Sequence, residues 1–130
     1  MLNVARYDLD GLREAMLVGD VARLTRTLDG LQQEGEAPLL VLWAMSEEVR
    51  ALAQINAGLA GRQSLDVLLK EARVWGVRQP VVRRAVQRID GTRAAAALAH
   101  AARIDRMIKG LASGDVWDEF RQLGLQIAVG

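Results

Sequence analysis

Leu39 to Leu59 carries the longest uninterrupted amphipathic pattern of the chain, and it constrains the fold more than any other stretch. Leu42, Met45, Val49, Leu52, Ile55 and Leu59 recur at steps of three and four, the spacing that lines side chains along one face of a helix. Ser46, Arg50 and Gln54 share another side. Pro38 stands where a first helical turn accepts a missing N–H, and no glycine interrupts the pattern before Gly58. A helix of about twenty residues reaches roughly 30 Å, the width of a small domain. The pattern predicts a central helix with its neighbours packed along it.

Shorter segments on either side read the same way. Residues 8–18 form a predicted helix with Asp8 as its N-cap, Leu9, Leu12 and Met16 on one face, and Gly19 as its stop. Asp20 caps a second, with Val21, Leu24, Leu28 and Leu31 as its stripe and Gly35 at its end. Ser64 is expected to cap a brief helix through Ala72, carrying Leu65, Leu68 and Leu69. Periodicity lapses from Arg73 to Pro80. Pro80 then starts a helix to Ile89, with Val82, Val86 and Ile89 inward and Arg83, Arg84, Gln87 and Arg88 outward.

After the break at Asp90-Gly91, the alanine-rich segment Thr92 to Lys109 has high intrinsic helicity and places Ala97, Ala101, Ile104 and Ile108 together. Asp115 caps a last helix with Val116, Phe120, Leu123 and Ile127 inward. Nothing alternates as a strand would. The reading is all-α: about seven helices in one compact bundle over residues 1–130.

At 130 residues, a single domain buries enough surface to stand without metal or disulfide. The absence of cysteine excludes thiol catalysis and thiolate metal sites and suits a reducing compartment. The start, MLNVARYDLD, does not read as a secretory signal, and the longest apolar run, which begins at Ala37, is too short to span a membrane. No cofactor is expected.

The formal charge of +1 conceals a division. Residues 1–61 carry −4, residues 62–109 carry +7 and residues 110–130 carry −2. A polyanion or an acidic partner would be drawn to the middle.

Chemistry is poorly supplied. Adjacent Glu47 and Glu48 diverge on a helix and do not form a catalytic pair. His100, the lone histidine, is read as surface or half-buried rather than catalytic. No glycine-rich phosphate loop is present. Arg73, Arg78, Arg83, Arg84, Arg88 and Arg93 crowd one interval with Trp75, and guanidinium forks beside an indole suit phosphate and base stacking if exposed. The packing alternative makes Trp75 a core residue, and it makes Trp43 and Trp117 structural as well.

The ordered combination resembles the C-terminal helical domain of the bacterial DNA polymerase III delta subunit. The resemblance rests on Leu17-Val18-Gly19-Asp20, on Glu34 to Leu40, and on Leu42 to Arg50. It continues through Val74-Trp75-Gly76-Val77-Arg78-Gln79-Pro80, Arg103 to Gly110, and Asp115-Val116-Trp117, covering nearly the whole chain.

It implies a non-catalytic collar domain that associates with the tau/gamma and delta-prime subunits of the clamp loader, an ATP-driven assembly attached to a DNA-directed DNA polymerase in the bacterial cytoplasm. The resemblance also implies two preceding domains of AAA+ type, missing here, and an N-terminal region that engages the sliding clamp. Trp75, Arg78, Gln79 and Pro80 match the family's Trp–Arg–Gln–Pro region and are expected first as a structural joint beside the last three helices, second as a subunit contact. The different-class reading is a DNA-binding module on Arg73, Arg83, Arg84, Arg88 and Arg93 together with Arg78.

Overall fold

The computed structural model describes residues 4–129, with side chains from Leu9 onward. Seven helices and no strand occupy these described residues. In chain order they are α1 (Val4–Val18), α2 (Val21–Gln33), α3 (Pro38–Ala60), α4 (Leu65–Glu71), α5 (Arg78–Arg88), α6 (Gly91–Ile108) and α7 (Val116–Ala128).

The expected central helix is α3, and it touches α1, α4, α5, α6 and α7, α6 most extensively. Its buried arc is wider than the stripe in the sequence. Leu42, Met45, Val49, Leu52 and Ile55 are buried, and so are Val41, Ala44, Ser46 and Glu48. A helix wrapped by five others has little face left for water, so Ser46, expected on the polar side, lies beneath α6 instead.

Local signals set the helix ends. Asp20 accepts from the N–H of Arg23 at 3.1 Å, Asp90 from the N–H of Arg93 at 2.8 Å, and Asp115 from Trp117 and Asp118. These carboxylates satisfy free donors of a first turn. Ser64 makes no such bond, so α4 begins without the expected side-chain cap. The first helix starts at Val4, earlier than expected, so Asp8 stands within it rather than at its N-cap. Arg78 and Gln79 precede Pro80 within α5, a proline being tolerated in a first turn.

Gly19 turns the chain between α1 and α2 at φ +82°, and a Cβ there would stand 2.8 Å from the carbonyl oxygen of Ala128. The turn therefore sits against the end of α7. One core of Leu12, Met16, Leu24, Leu28, Met45, Leu52, Ile104, Phe120 and their neighbours joins the elements.

Candidate interaction surface

Glu48 is 1% exposed at the centre of the fold. Its Oε2 accepts from Arg13 of α1 at 3.3 Å, and its Oε1 pairs with Arg78 at the start of α5. Arg13 also reaches Glu47 at 2.8 Å and lies 4.9 Å above the Trp43 ring. Two guanidinium groups thus neutralise one buried carboxylate, and α1, α3 and α5 are tied together where a lone charge would be expelled. Glu47 and Glu48 do diverge, but Glu48 diverges into the core. The missed signal was spacing: Val41, Met45, Glu48 and Leu52 stand on one helical face.

The segment between α4 and α5 is a fixed knuckle. After α4 the N–H of Val74 donates to Leu69 at 2.9 Å and that of Arg73 to Lys70 at 3.0 Å, closing the helix with Arg73 at φ +60°. Glycine commonly takes that position, because a Cβ is disfavoured there. Val74 is fully buried and Gln79 donates its amide to the Val74 carbonyl at 3.3 Å.

Trp75, for which packing was expected, is 58% exposed, and Val77 is 89% exposed. The apolar anchor of this segment is Val74, one residue away, and the alternation of a tight turn throws the indole outward. Pro80 is exposed beside it. Arg73 and Arg78 line a hollow of about 280 Å³ with Arg13, Arg50, Glu47 and Glu48.

The remaining arginines of the basic interval do not share one face. Arg83 pairs with Asp66 of α4. Arg84 is exposed, and Arg93 is partly buried at the start of α6. Arg88, expected outward, is instead half-buried and donates to the carbonyls of Ile127 at 2.7 Å, Ala128 at 3.0 Å and Leu17 at 2.8 Å. It satisfies the orphan acceptors at the ends of α7 and α1, which commits it to the fold. Burial, followed by the charge of Arg93, lowers its pKa from the ordinary guanidinium value. The spacing Val81, Ala85, Arg88 carried that signal.

A second hollow, of about 350 Å³, runs between α3 and α6. Leu39, Trp43, Arg50, Leu98, Ala102 and Asp105 rim it, over Leu42, Ser46 and Ala101. Trp43 is 53% exposed, against the expectation of core packing, because Arg13 rather than an apolar neighbour covers one of its faces. Trp117 does pack, edge to face with Phe120 at 5.3 Å.

His100 is buried between α6 and α7, with Nε2 2.7 Å from Glu119 and Nδ1 2.9 Å from Gln126. Arg103 donates to the same Glu119 oxygen at 2.6 Å. Hydrogen bonds from Arg103 and then His100 hold the Glu119 carboxyl below its usual range. With both ring nitrogens engaged by structural partners, the cluster ties α6 to α7. Among the described residues no group of three acidic, histidine or cysteine side chains could hold a metal, and no helix is long and apolar enough to cross a membrane.

The family described as processivity clamp loader gamma complex, DNA pol III C-term, matches residues 11–129. The DNA polymerase III subunit delta of Haemophilus influenzae is 25% identical over 124 residues, a match that takes in 89% of this chain and 36% of that protein. The chain therefore spans little more than a third of its relative's length.

Proposed function

We propose a function from the family: this chain belongs to the C-terminal domains of the DNA polymerase III delta subunit, a clamp-loader component of DNA replication, and it serves there as a non-catalytic assembly domain. It docks on the collar domains of the tau/gamma and delta-prime subunits in the bacterial cytoplasm, so that the complete loader can place the sliding clamp on DNA. Contact with the clamp belongs to other regions of delta.

The observation that carries this reading is that the family match takes in nearly the whole helical unit, from α1 to the end of α7. Large apolar side chains left outside the core support it. Trp43, Trp75, Val77, Leu39 and Leu98 are all exposed on helices or turns fixed from beneath. Such anchors suit an interface centre, with charged rims choosing the partner.

The test is sedimentation of this chain with purified tau/gamma and delta-prime subunits. A complex at concentrations on the order of tens of micromolar, roughly −6 kcal/mol of binding, is expected. No complex in that range would remove the claim that this domain suffices for assembly.

A second reading keeps one specific support. Trp75 is exposed beside Arg73 and Arg78, where an indole can stack on a base for about 1–3 kcal/mol and guanidiniums can meet phosphates. On this reading primed DNA binds at low salt, each phosphate contact steepening the salt dependence by about 0.9 for duplex, and Trp75→Ala weakens binding. Absence of DNA binding at low salt, with assembly intact, would reject it.

A further inference from the structure

We propose that the groove between α3 and α6 receives an amphipathic helix of a neighbouring loader subunit, one with apolar side chains a turn apart and a carboxylate at the Arg50 end. This rests on the assembly reading and names the face used and the chemistry of its occupant.

The groove has the dimensions of such a guest. Asn56 donates to the Ile89 carbonyl at 3.1 Å and Gly91 lies against the Asn56 side chain, so α6 begins near the far half of α3 and runs back along it. Leu39 then lies at the Asp105 end and Leu98 towards the Arg50 end. Leu39 to Arg50 covers about 16 Å of helix, three turns, and the small Ala101 and Ala102 between the ridges leave depth. A helix laid in a groove of apolar walls is a standard recognition mode, read through anchors at i and i+4.

The walls are suited to tight contact. Leu39, Trp43 and Leu98 expose apolar surface towards one hollow. The guanidinium of Arg13, itself fixed by Glu47 and Glu48, holds the Trp43 ring from one side, so little side-chain freedom remains to be lost on binding.

Charge selects the occupant. Asp105 is already paired with Lys109 at 2.8 Å, whereas Arg50 has no described partner. The unbalanced charge of the groove is one cation beside apolar walls and a floor of Leu42, Ser46 and Ala101, which calls for a carboxylate on an otherwise apolar helix face. A nucleic-acid strand would meet three apolar walls and a single free guanidinium. It is the poorer fit.

The experiment uses the full-length delta subunit with purified tau/gamma and delta-prime, measured by sedimentation velocity. Leu98→Asp should weaken assembly more than tenfold and Arg50→Glu about tenfold, while Val67→Asp, on exposed α4 surface, leaves it unchanged. Arg50→Ala serves as the milder variant, and melting curves verify that each protein remains folded. A benzophenone amino acid at position 98 should crosslink to a helix of another subunit that carries an acidic residue.

Wild-type assembly together with unaffected Leu98→Asp and Arg50→Glu variants would overturn the groove while leaving the assembly reading standing. Crosslinking to a second copy of delta, to delta's own remaining regions or to DNA would overturn it equally. Failure of the wild type to assemble would instead remove the premise.

Discussion

Glu48 concentrates the electrostatics of the fold in one side chain. Arg13 and Arg78 both depend on it, but both keep a path to water, being partly exposed. Removing the carboxylate strips Arg78 of its partner and leaves Arg13 with only the more exposed Glu47, whereas removing either arginine leaves the other paired with Glu48. Breaking a fully buried pair costs about 3–5 kcal/mol, and solvent access on the arginine side reduces that. Glu48→Ala should therefore lower unfolding free energy by about 2–4 kcal/mol, more than Arg13→Ala or Arg78→Ala, as urea denaturation would measure. Equal stability of all three variants would show that the carboxylate is not the hub.

Glu119 gives the pH dependence at this scale. Its folded pKa lies below the unfolded value, which is about 4.3. The folded state thus binds the proton less readily than the unfolded chain, and the contribution to stability is complete above the unfolded pKa. It is lost as pH falls through the folded value. Glu119→Gln should flatten the acid limb of a stability profile below about pH 4.3 and leave its slope above that value unchanged. An identical acid limb in the variant would mean that other carboxylates dominate there.

Among elements, the ends of α1 and α7 meet through one guanidinium. Arg88 supplies three hydrogen bonds to carbonyls of two helices far apart in sequence, and the Gly19 turn fits against the same place. Charged hydrogen bonds contribute about 1.5–3 kcal/mol, and the freed acceptors would be partly reached by water. Arg88→Ala should cost about 2–3 kcal/mol and Arg88→Lys somewhat less, since an ammonium cannot span the acceptors with a planar fork. Amide exchange should accelerate first at the end of α7. Uniform acceleration across all helices would locate the function of Arg88 elsewhere.

Helix existence was legible because each helix shows its own period, and Asp20 and Asp115 announce their starts; Asp90, read only as a break, caps α6 as well. What stayed hidden were contacts between elements. No spacing within α5 reveals that Leu17 and Ala128 leave carbonyls for Arg88 to meet, and no local signal tells Val74 from Trp75 as the residue that turns inward.

At the scale of the molecule, the apolar residues divide into those that close the core around α3 and those left on its outside. The sequence marked both kinds by hydrophobicity alone, so Leu52 and Trp43 looked alike until the helices were assembled. The division predicts different failures. Leu52 is fully buried, and truncating a buried leucine costs about 2–5 kcal/mol through lost contacts and the cavity left behind. With one core shared by all seven helices, Leu52→Ala should lower the midpoint of a single cooperative transition seen identically by circular dichroism and tryptophan fluorescence. Trp75→Ala and Val77→Ser remove side chains that the fold does not enclose, and surface changes of this kind usually stay within about 0.5 kcal/mol. These two variants should melt like the parent yet bind loader subunits or primed DNA more weakly, and which of the two ligands is lost distinguishes an assembly contact from a nucleic-acid contact at the knuckle. If both variants melt at markedly lower temperature, Trp75 and Val77 belong to the fold after all, and the knuckle is a joint rather than a contact surface.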